Sequence, residues 1–143
     1  MVPRSANDKY VILHRAPSVS EFQALRNARG LRELDPEAVS EALTHSLFAV
    51  CVIYNNSTIG TGRVIGDGGL YYYIHDVLVS PEFANEGIAE LIMDEIMLYL
   101  SKKTSPNATI AVSAVEGRVN LYERYGFKES PELCPGMKLH QKD

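Results

Sequence analysis

The sequence predicts an α+β fold: a mixed, mostly antiparallel sheet with helices on both faces. Three observations predict it. Between Leu47 and Val79, three β-rich runs are separated by tight-turn residues, which makes two hairpins in series. A strand–loop–helix–strand unit then runs from Leu70 to Ala114, and such a crossover makes its two strands parallel and right-handed in connection. Two amphipathic helical segments lie between a first short strand and the hairpins.

The elements follow in chain order. Tyr10-Val11-Ile12-Leu13-His14 is an apolar, β-branched run and reads as a strand, stopped by Ala16-Pro17-Ser18. Ser18 with Glu21 three residues on is a capping box, followed by Phe22, Leu25 and Arg26 at helical spacing. Asp35-Pro36 caps a second helix carrying Ala38, Val39, Ala42 and Leu43. Leu47–Tyr54 and Thr58–Ile65 form a hairpin around Asn55-Asn56-Ser57, and Gly66-Asp67-Gly68-Gly69 turns the chain into a third strand, Leu70–Val79. A helix from about Gly87 to Lys102 carries the stripe Ile88, Leu91, Ile92, Ile96, Tyr99 and Leu100. A strand at Thr109–Ala114, a short helix at Val119–Tyr125, a strand opening at Gly126-Phe127-Lys128 and a last strand near Met137-Lys138-Leu139 complete the reading.

Composition narrows the function. With 143 residues, 45% hydrophobic and 22% charged, the chain is neither disordered nor collagen-like, and residues 9–143 read as one domain. Residues 1–8 read as a disordered start or a cloning remnant. The longest apolar stretch, Ile88–Leu100, is broken by Glu90, Asp94 and Glu95, short of the roughly 18–20 residues that span a bilayer, so no membrane partner is expected. The net charge is −4 and no Lys/Arg cluster exists, which argues against nucleic acid. Cys51 and Cys134 form neither a metal spacing nor a disulfide framework; with no apolar leader, a reducing, cytoplasmic setting and no metal are expected.

The junction after Val79 carries the first chemical signal. A loop entering a helix offers unpaired backbone N–H groups and the positive end of the helix dipole, an anion site whatever the side chains. Gly87 lets a phosphate approach, and small Ala84 and Ala89 do not obstruct it. Taken alone, one glycine before a helix is a weak signal and reads first as a plain helix start.

The order of the pieces separates these readings. Asp76-Val77-Leu78-Val79-Ser80-Pro81-Glu82-Phe83, then Gly87-Ile88-Ala89, then Leu121-Tyr122-Glu123-Arg124-Tyr125-Gly126-Phe127 resembles the GCN5-related N-acetyltransferase (GNAT) superfamily. Asn27-Ala28-Arg29-Gly30-Leu31, Ser46–Val50, Gly62–Gly69 and Pro135-Gly136-Met137 look like a branch of small, mostly microbial members. The resemblance covers roughly Arg15 to Leu139.

The resemblance implies the acyl-CoA N-acyltransferase fold, with the parallel strand pair splayed, and acetyl transfer from acetyl-CoA to an amine. It implies that pantetheine pairs with the backbone of Val77, Leu78 and Val79 as an added strand. It places the pyrophosphate on the amides of Ala84, Asn85, Glu86, Gly87, Ile88 and Ala89, with Asn120 and Tyr125 on the pantetheine side. Asn120 reads equally as a cap of the short helix. The chain departs from the family at this loop. Ala84 stands in place of Gln or Arg, and Asn85 stands in place of the first glycine. Glu86 stands where Lys, Gln or Arg is common, and there it repels a phosphate if it points inward.

The same resemblance places Tyr122 to protonate the leaving thiolate and the Leu78 or Val79 N–H to stabilise the oxyanion. Tyr122 reads alternatively as an aromatic packed beside Tyr125 and Phe127. His75 and Asp76 are the candidates for proton removal from the amine; His75 reads alternatively as an ordinary sheet residue, Asp76 as an anchor of the strand or of the acceptor amine, and the resemblance also allows a water relay with no single base. Adjacent strand residues face opposite sides, so only a bulge lets both face the substrate. Of Tyr71, Tyr72 and Tyr73, two read as ordinary β-formers and one as lining the acceptor site. Arg29, Arg63 and Arg118 read as solvated surface, with Arg118 beside Gly117 offered also to a phosphate. The implied acceptor is a small-molecule amine, and a homodimer through sheet edges is compatible with the fold. The altered loop keeps one alternative open: an acyl-CoA-binding or interaction module without turnover.

Overall fold

The computed structural model describes residues 9–114, 118–129, 137–139 and 141. Two compact units are present, Met1–Ser113 and Ala114–Asp143.

The first unit is a five-stranded sheet in the order β1-β2-β3-β4-β5, with β1 Val11–Leu13, β2 Phe48–Tyr54, β3 Ser57–Gly66, β4 Tyr71–Val79 and β5 Thr109–Val112. The first three pairings are antiparallel and β4–β5 is parallel, as the hairpins and the crossover require. The β4–β5 ladder stops at Ile74 opposite Val112, while β4 runs on to Val79, so the two strands part at that point.

Helices cover both faces. α1 (Val19–Ala28) and α2 (Pro36–Thr44) lie on one, where Phe22, Leu25, Val39, Leu43 and Leu78 form a core. Ser18 and Glu21 close the capping box, and Asp35 caps α2 with Pro36 at the first helical position. α3 (Ile88–Lys103) lies on the other face. It sits directly on β3 because Gly60 and Gly62 have no side chains there. A Cβ on Gly62 would fall 2.6 Å from Ile92 Cγ2, and one on Gly60 would fall 2.9 Å from Ile88 Cγ2. The Phe48 and Tyr99 rings stack at 4.5 Å between β2 and α3, and His14 Nε2 meets the buried Glu95 carboxylate at 2.7 Å.

Glu21 joins three elements. Its carboxylate accepts from the Ser18 amide at 2.8 Å, the Thr58 hydroxyl at 2.7 Å and the Arg15 guanidinium at 3.1 Å. Burial pushes this carboxyl up, but the Arg15, Ser18 and Thr58 hydrogen bonds prevail and bring it from 4.5 down to about 2. A depressed acid stabilises the fold above its unfolded value and loses that contribution as pH falls through the folded one. Glu21→Gln is therefore expected to cost about 1–2 kcal/mol at pH 7, after allowance for screening at a partly exposed carboxylate. The deficit should shrink as pH falls from 4.5 toward about 2. Urea midpoints of both proteins across that range check it, and a pH-independent gap would remove the electrostatic account.

The second unit contains α4, Val119–Glu123, and a turn closed by Gly126 at φ +94°. The strands expected at Gly126-Phe127-Lys128 and Met137-Lys138-Leu139 are not strands among the described residues. Met137 and Leu139 are 91% and 83% exposed, so the segment at 137–139 buries no apolar face that would hold it as a strand. Residues 1–8, Gly117, Cys134, Pro135 and Gly136, all singled out from the sequence, lie outside the described residues.

Candidate active site

β4 is bulged where the chemistry was expected. Arg63 pairs with His75 and Thr61 with Leu78, so Asp76 and Val77 together oppose Gly62. Asp76 adopts φ +56°, a left-handed conformation that aspartate tolerates better than most residues. The bulge breaks the strand's alternation. His75 shares a face with Arg63, and the Asp76 carboxylate reaches the same guanidinium, Nε to Oδ2 at 2.8 Å. Both candidate residues thus lie toward the α1/α2 face.

Arg63 is not solvated surface. Its side chain is only 13% exposed, and its Nη1 donates to Ala42 O at 3.0 Å and Ser46 Oγ at 3.2 Å as well. It ties the bulge to the end of α2. Asp76 is therefore committed to an ion pair, whereas His75 is half-buried with Tyr73 beside it, ring centroids 6.0 Å apart. Tyr72 is buried in the core, but Tyr71 and Tyr73 are 53% and 43% exposed on the face that carries His75. One tyrosine of the three faces the core, and the other two share the exposed face.

Beyond the bulge, Val77 packs on the α3 side near Gly62, and Leu78 joins the α1/α2 core. Ser80 N–H donates to Ile59 O in β3 at 2.8 Å. By the two-residue alternation of strand amides, the Val79 N–H points to the opposite edge, where the β5 ladder has already ended. Leu78 N–H faces β3. The two oxyanion candidates are thereby separated.

The loop from Ser80 enters a single 3₁₀ turn at Pro81–Phe83 and then a tight turn into α3. Asn85 at φ +68° and Gly87 at φ +81° are both left-handed, so asparagine supplies here the conformation a glycine would. The Ala84 and Glu86 amides are spent inside the turn, on Pro81 O at 3.1 Å and Phe83 O at 3.2 Å. Among the described residues, the Asn85 and Gly87 amides donate to no backbone carbonyl. The first intrahelical bond runs from Leu91 N to Gly87 O, so Ile88 and Ala89 have no acceptor within the helix. The six amides expected to hold phosphate reduce to these four. No heavy atom lies within 4 Å of a Cβ built on Gly87, so the turn is open at its centre.

Glu86 does not point into this turn. Its Oε1 accepts from the Tyr10 hydroxyl at 3.3 Å, and Lys9 Nζ lies 3.9 Å from the same oxygen. The diphosphate of an acyl-CoA fits a turn of this kind: open backbone, four amides with no backbone acceptor among the described residues, and the Glu86 carboxylate held by Tyr10 and Lys9, with Glu82 and Glu90 the other nearby acids.

In the second unit, Tyr122 is buried on α4 and its ring meets Phe127 edge-on at 6.3 Å. Burial raises its phenol above the ordinary value of 10.0, against a smaller opposing effect of the Arg118 guanidinium, which also bonds the hydroxyl. Arg118 occupies the N-cap of α4, so Asn120, exposed within the helix, does not cap it. Tyr125 is half-buried one turn later, its amide bonded to Tyr122 O at 2.9 Å. Among the described residues, no group of three or more His, Cys, Asp or Glu is arranged to hold a metal, and no helix is long and apolar enough to cross a membrane.

Sequence reasoning missed three things: the Gly60/Gly62 seat of α3, the Arg63 clamp, and Tyr10 as the partner of Glu86. Only the glycine pair had a local signal, as a period-two repeat of small residues in a strand.

Comparison with known proteins agrees with this geometry. The model of a family described as an acetyltransferase (GNAT) domain matches residues 19–135. The uncharacterised N-acetyltransferase ycf52 of Porphyra purpurea is 25% identical over 134 residues, 91% of this chain and 76% of that protein. The GCN5-related N-acetyltransferase 2, chloroplastic, of Arabidopsis thaliana is 30% identical over 84 residues, 59% of this chain and 32% of that one. The solved structure of a Staphylococcus aureus protein named a probable acetyltransferase superposes with a TM-score of 0.86 at 28% identity, covering 92% of this chain and 99% of its own. The chain belongs to the GNAT acetyltransferase family and is an acyltransferase.

Proposed function

We propose that this protein transfers the acetyl group of acetyl-CoA to a primary amine of a small molecule, by direct attack in a ternary complex, with residues 9–143 acting as one domain. The observation that carries this reading is the turn at Asn85–Ala89, where the Asn85, Gly87, Ile88 and Ala89 amides have no backbone acceptor among the described residues and Glu86 is held by Tyr10. When bound, acetyl-CoA supplies an activated acyl carbonyl and a thiolate leaving group. The Asn85, Gly87, Ile88 and Ala89 amides hold the diphosphate. The β4 backbone at Val77, Leu78 and Val79, beyond the end of the β5 ladder, receives the pantetheine amides, as in strand addition.

The chain's own residues divide the remaining work. Val79 N–H donates to the acyl oxygen as it gains charge. His75 takes the amine proton, directly or through water, as the imidazole that stands beside the exposed tyrosines. Asp76 positions the bulge through its ion pair with Arg63. Tyr122, a phenol protonated at neutral pH and kept so by its burial, returns a proton to the departing sulfur. Asn120 and Tyr125 are assigned to pantetheine by the family resemblance alone. Exposed Tyr71 and Tyr73 beside His75 offer aromatic faces to the acceptor's body or its cation. Buried, unbridged Cys51 suits a reducing compartment such as the cytoplasm.

Calorimetric titration with acetyl-CoA and with CoA at two salt concentrations tests the reading. Micromolar, salt-weakened binding is expected, followed by turnover in a screen of small amines. Absence of binding up to millimolar would exclude the turn as a diphosphate site.

A further inference from the structure

Tyr10 sits at the start of β1, far in sequence from the loop after β4, yet it is 2% exposed and its hydroxyl finds Glu86 Oε1 at 3.3 Å. A buried phenol needs a partner, and this one selects a carboxylate. Around it stands an aromatic cluster: Tyr10 to Tyr54 at 5.8 Å, Tyr10 to Phe83 at 6.4 Å and Tyr54 to Phe83 at 5.4 Å between centroids. Lys9 Nζ lies 5.6 Å from the Tyr10 centroid and 3.9 Å from the same Glu86 oxygen. Glu86 is flanked on both sides by the left-handed residues Asn85 and Gly87. Its carboxylate is therefore anchored outward, one residue from the amides assigned to phosphate.

We infer that Tyr10 is a positioning residue for cofactor binding: its hydroxyl, with Lys9, holds the Glu86 carboxylate out of the phosphate turn and so lets a loop that carries an acid bind a diphosphate. This rests on the reading of the turn as the diphosphate site. Released from Tyr10, Glu86 is free to swing within a Debye length of about 8–10 Å of the phosphates, where it opposes them.

The test is a cycle of Tyr10→Phe and Glu86→Gln, read by calorimetric CoA binding, with thermal melting as a control. Tyr10→Phe keeps the ring in its cluster. It removes donor and bond together, and the carboxylate it releases is half-exposed, so the fold should survive. Tyr10→Phe is expected to weaken CoA about five-fold at low salt, the size of one screened like-charge contact, and less at high salt. KM for acetyl-CoA should rise with kcat unchanged. In the Glu86→Gln background the same change should have no effect. Glu86→Asp, which keeps the charge but cannot reach Tyr10, should reproduce Tyr10→Phe and serves if that variant melts early.

An equal loss in both backgrounds would overturn the inference, because Tyr10 would then act as a simple brace. So would unchanged binding in Tyr10→Phe. If neither the wild type nor Glu86→Gln binds CoA at all, the reading of the turn fails and this inference falls with it.

Discussion

Tyr122→Phe is expected to lower kcat by about 100-fold while leaving KM for acetyl-CoA nearly unchanged. The substitution keeps the ring and its edge contact with Phe127 at 6.3 Å, and removes only the hydroxyl. That hydroxyl is buried and bonded to Arg118, and burial holds its proton more tightly than in water. A raised acid is protonated below its folded value, so Tyr122 is a donor throughout the neutral range and cannot act as a base there. Donation matters at one moment only, when charge accumulates on the departing sulfur. The loss should therefore appear in kcat and leave ground-state binding alone. Direct CoA titration of the variant separates the two. Full activity in Tyr122→Phe would reduce the residue to the packed aromatic that its sequence context also allows.

What was legible in the sequence was what rests on local rules. The capping box at Ser18, the Asp35-Pro36 start, the two hairpins and the parallel crossover all depend on residues close together in the chain, and each is present. The left-handed Asn85 was readable for the same reason, since the conformation belongs to the residue. What was not legible depends on partners distant in sequence. Arg63 looks like any surface arginine until β3 and β4 pair with a residue to spare, when Asp76 turns into its reach. Glu86 looks like an obstacle to phosphate until β1 brings up Tyr10, 76 positions earlier. Of the tyrosine run, alternation fixes that Tyr71 and Tyr73 share a face opposite Tyr72, but only the seating of α3 decides which face is core.

Arg63→Met is expected to destabilise the fold by about 3 kcal/mol, the cost typical of breaking a mostly buried ion pair from one side. The asymmetry of the site sets that size. Arg63 serves three acceptors at once, Asp76, Ala42 O and Ser46 Oγ, and methionine replaces only its packing. The carboxylate left behind is 22% exposed, so water compensates it poorly, and it stays fixed on a bulge residue at φ +56°. Asp76→Asn should cost less, about 1 kcal/mol, because asparagine still accepts from Nε and tolerates the left-handed backbone, while Arg63 keeps its two α2 acceptors. Urea unfolding of the two variants measures the difference, and equal costs would mean that the backbone carries the bulge without the clamp. The catalytic consequence runs through geometry. Without the bulge, regular alternation would put Val77 and Val79 on the same face as His75 and the exposed tyrosines, so the bulge is what lets the strand end face α3 while His75 stays beside Arg63. Any loosening of the clamp should therefore lower kcat in the folded fraction, and Asp76→Asn, which preserves the register, should retain more turnover than Arg63→Met.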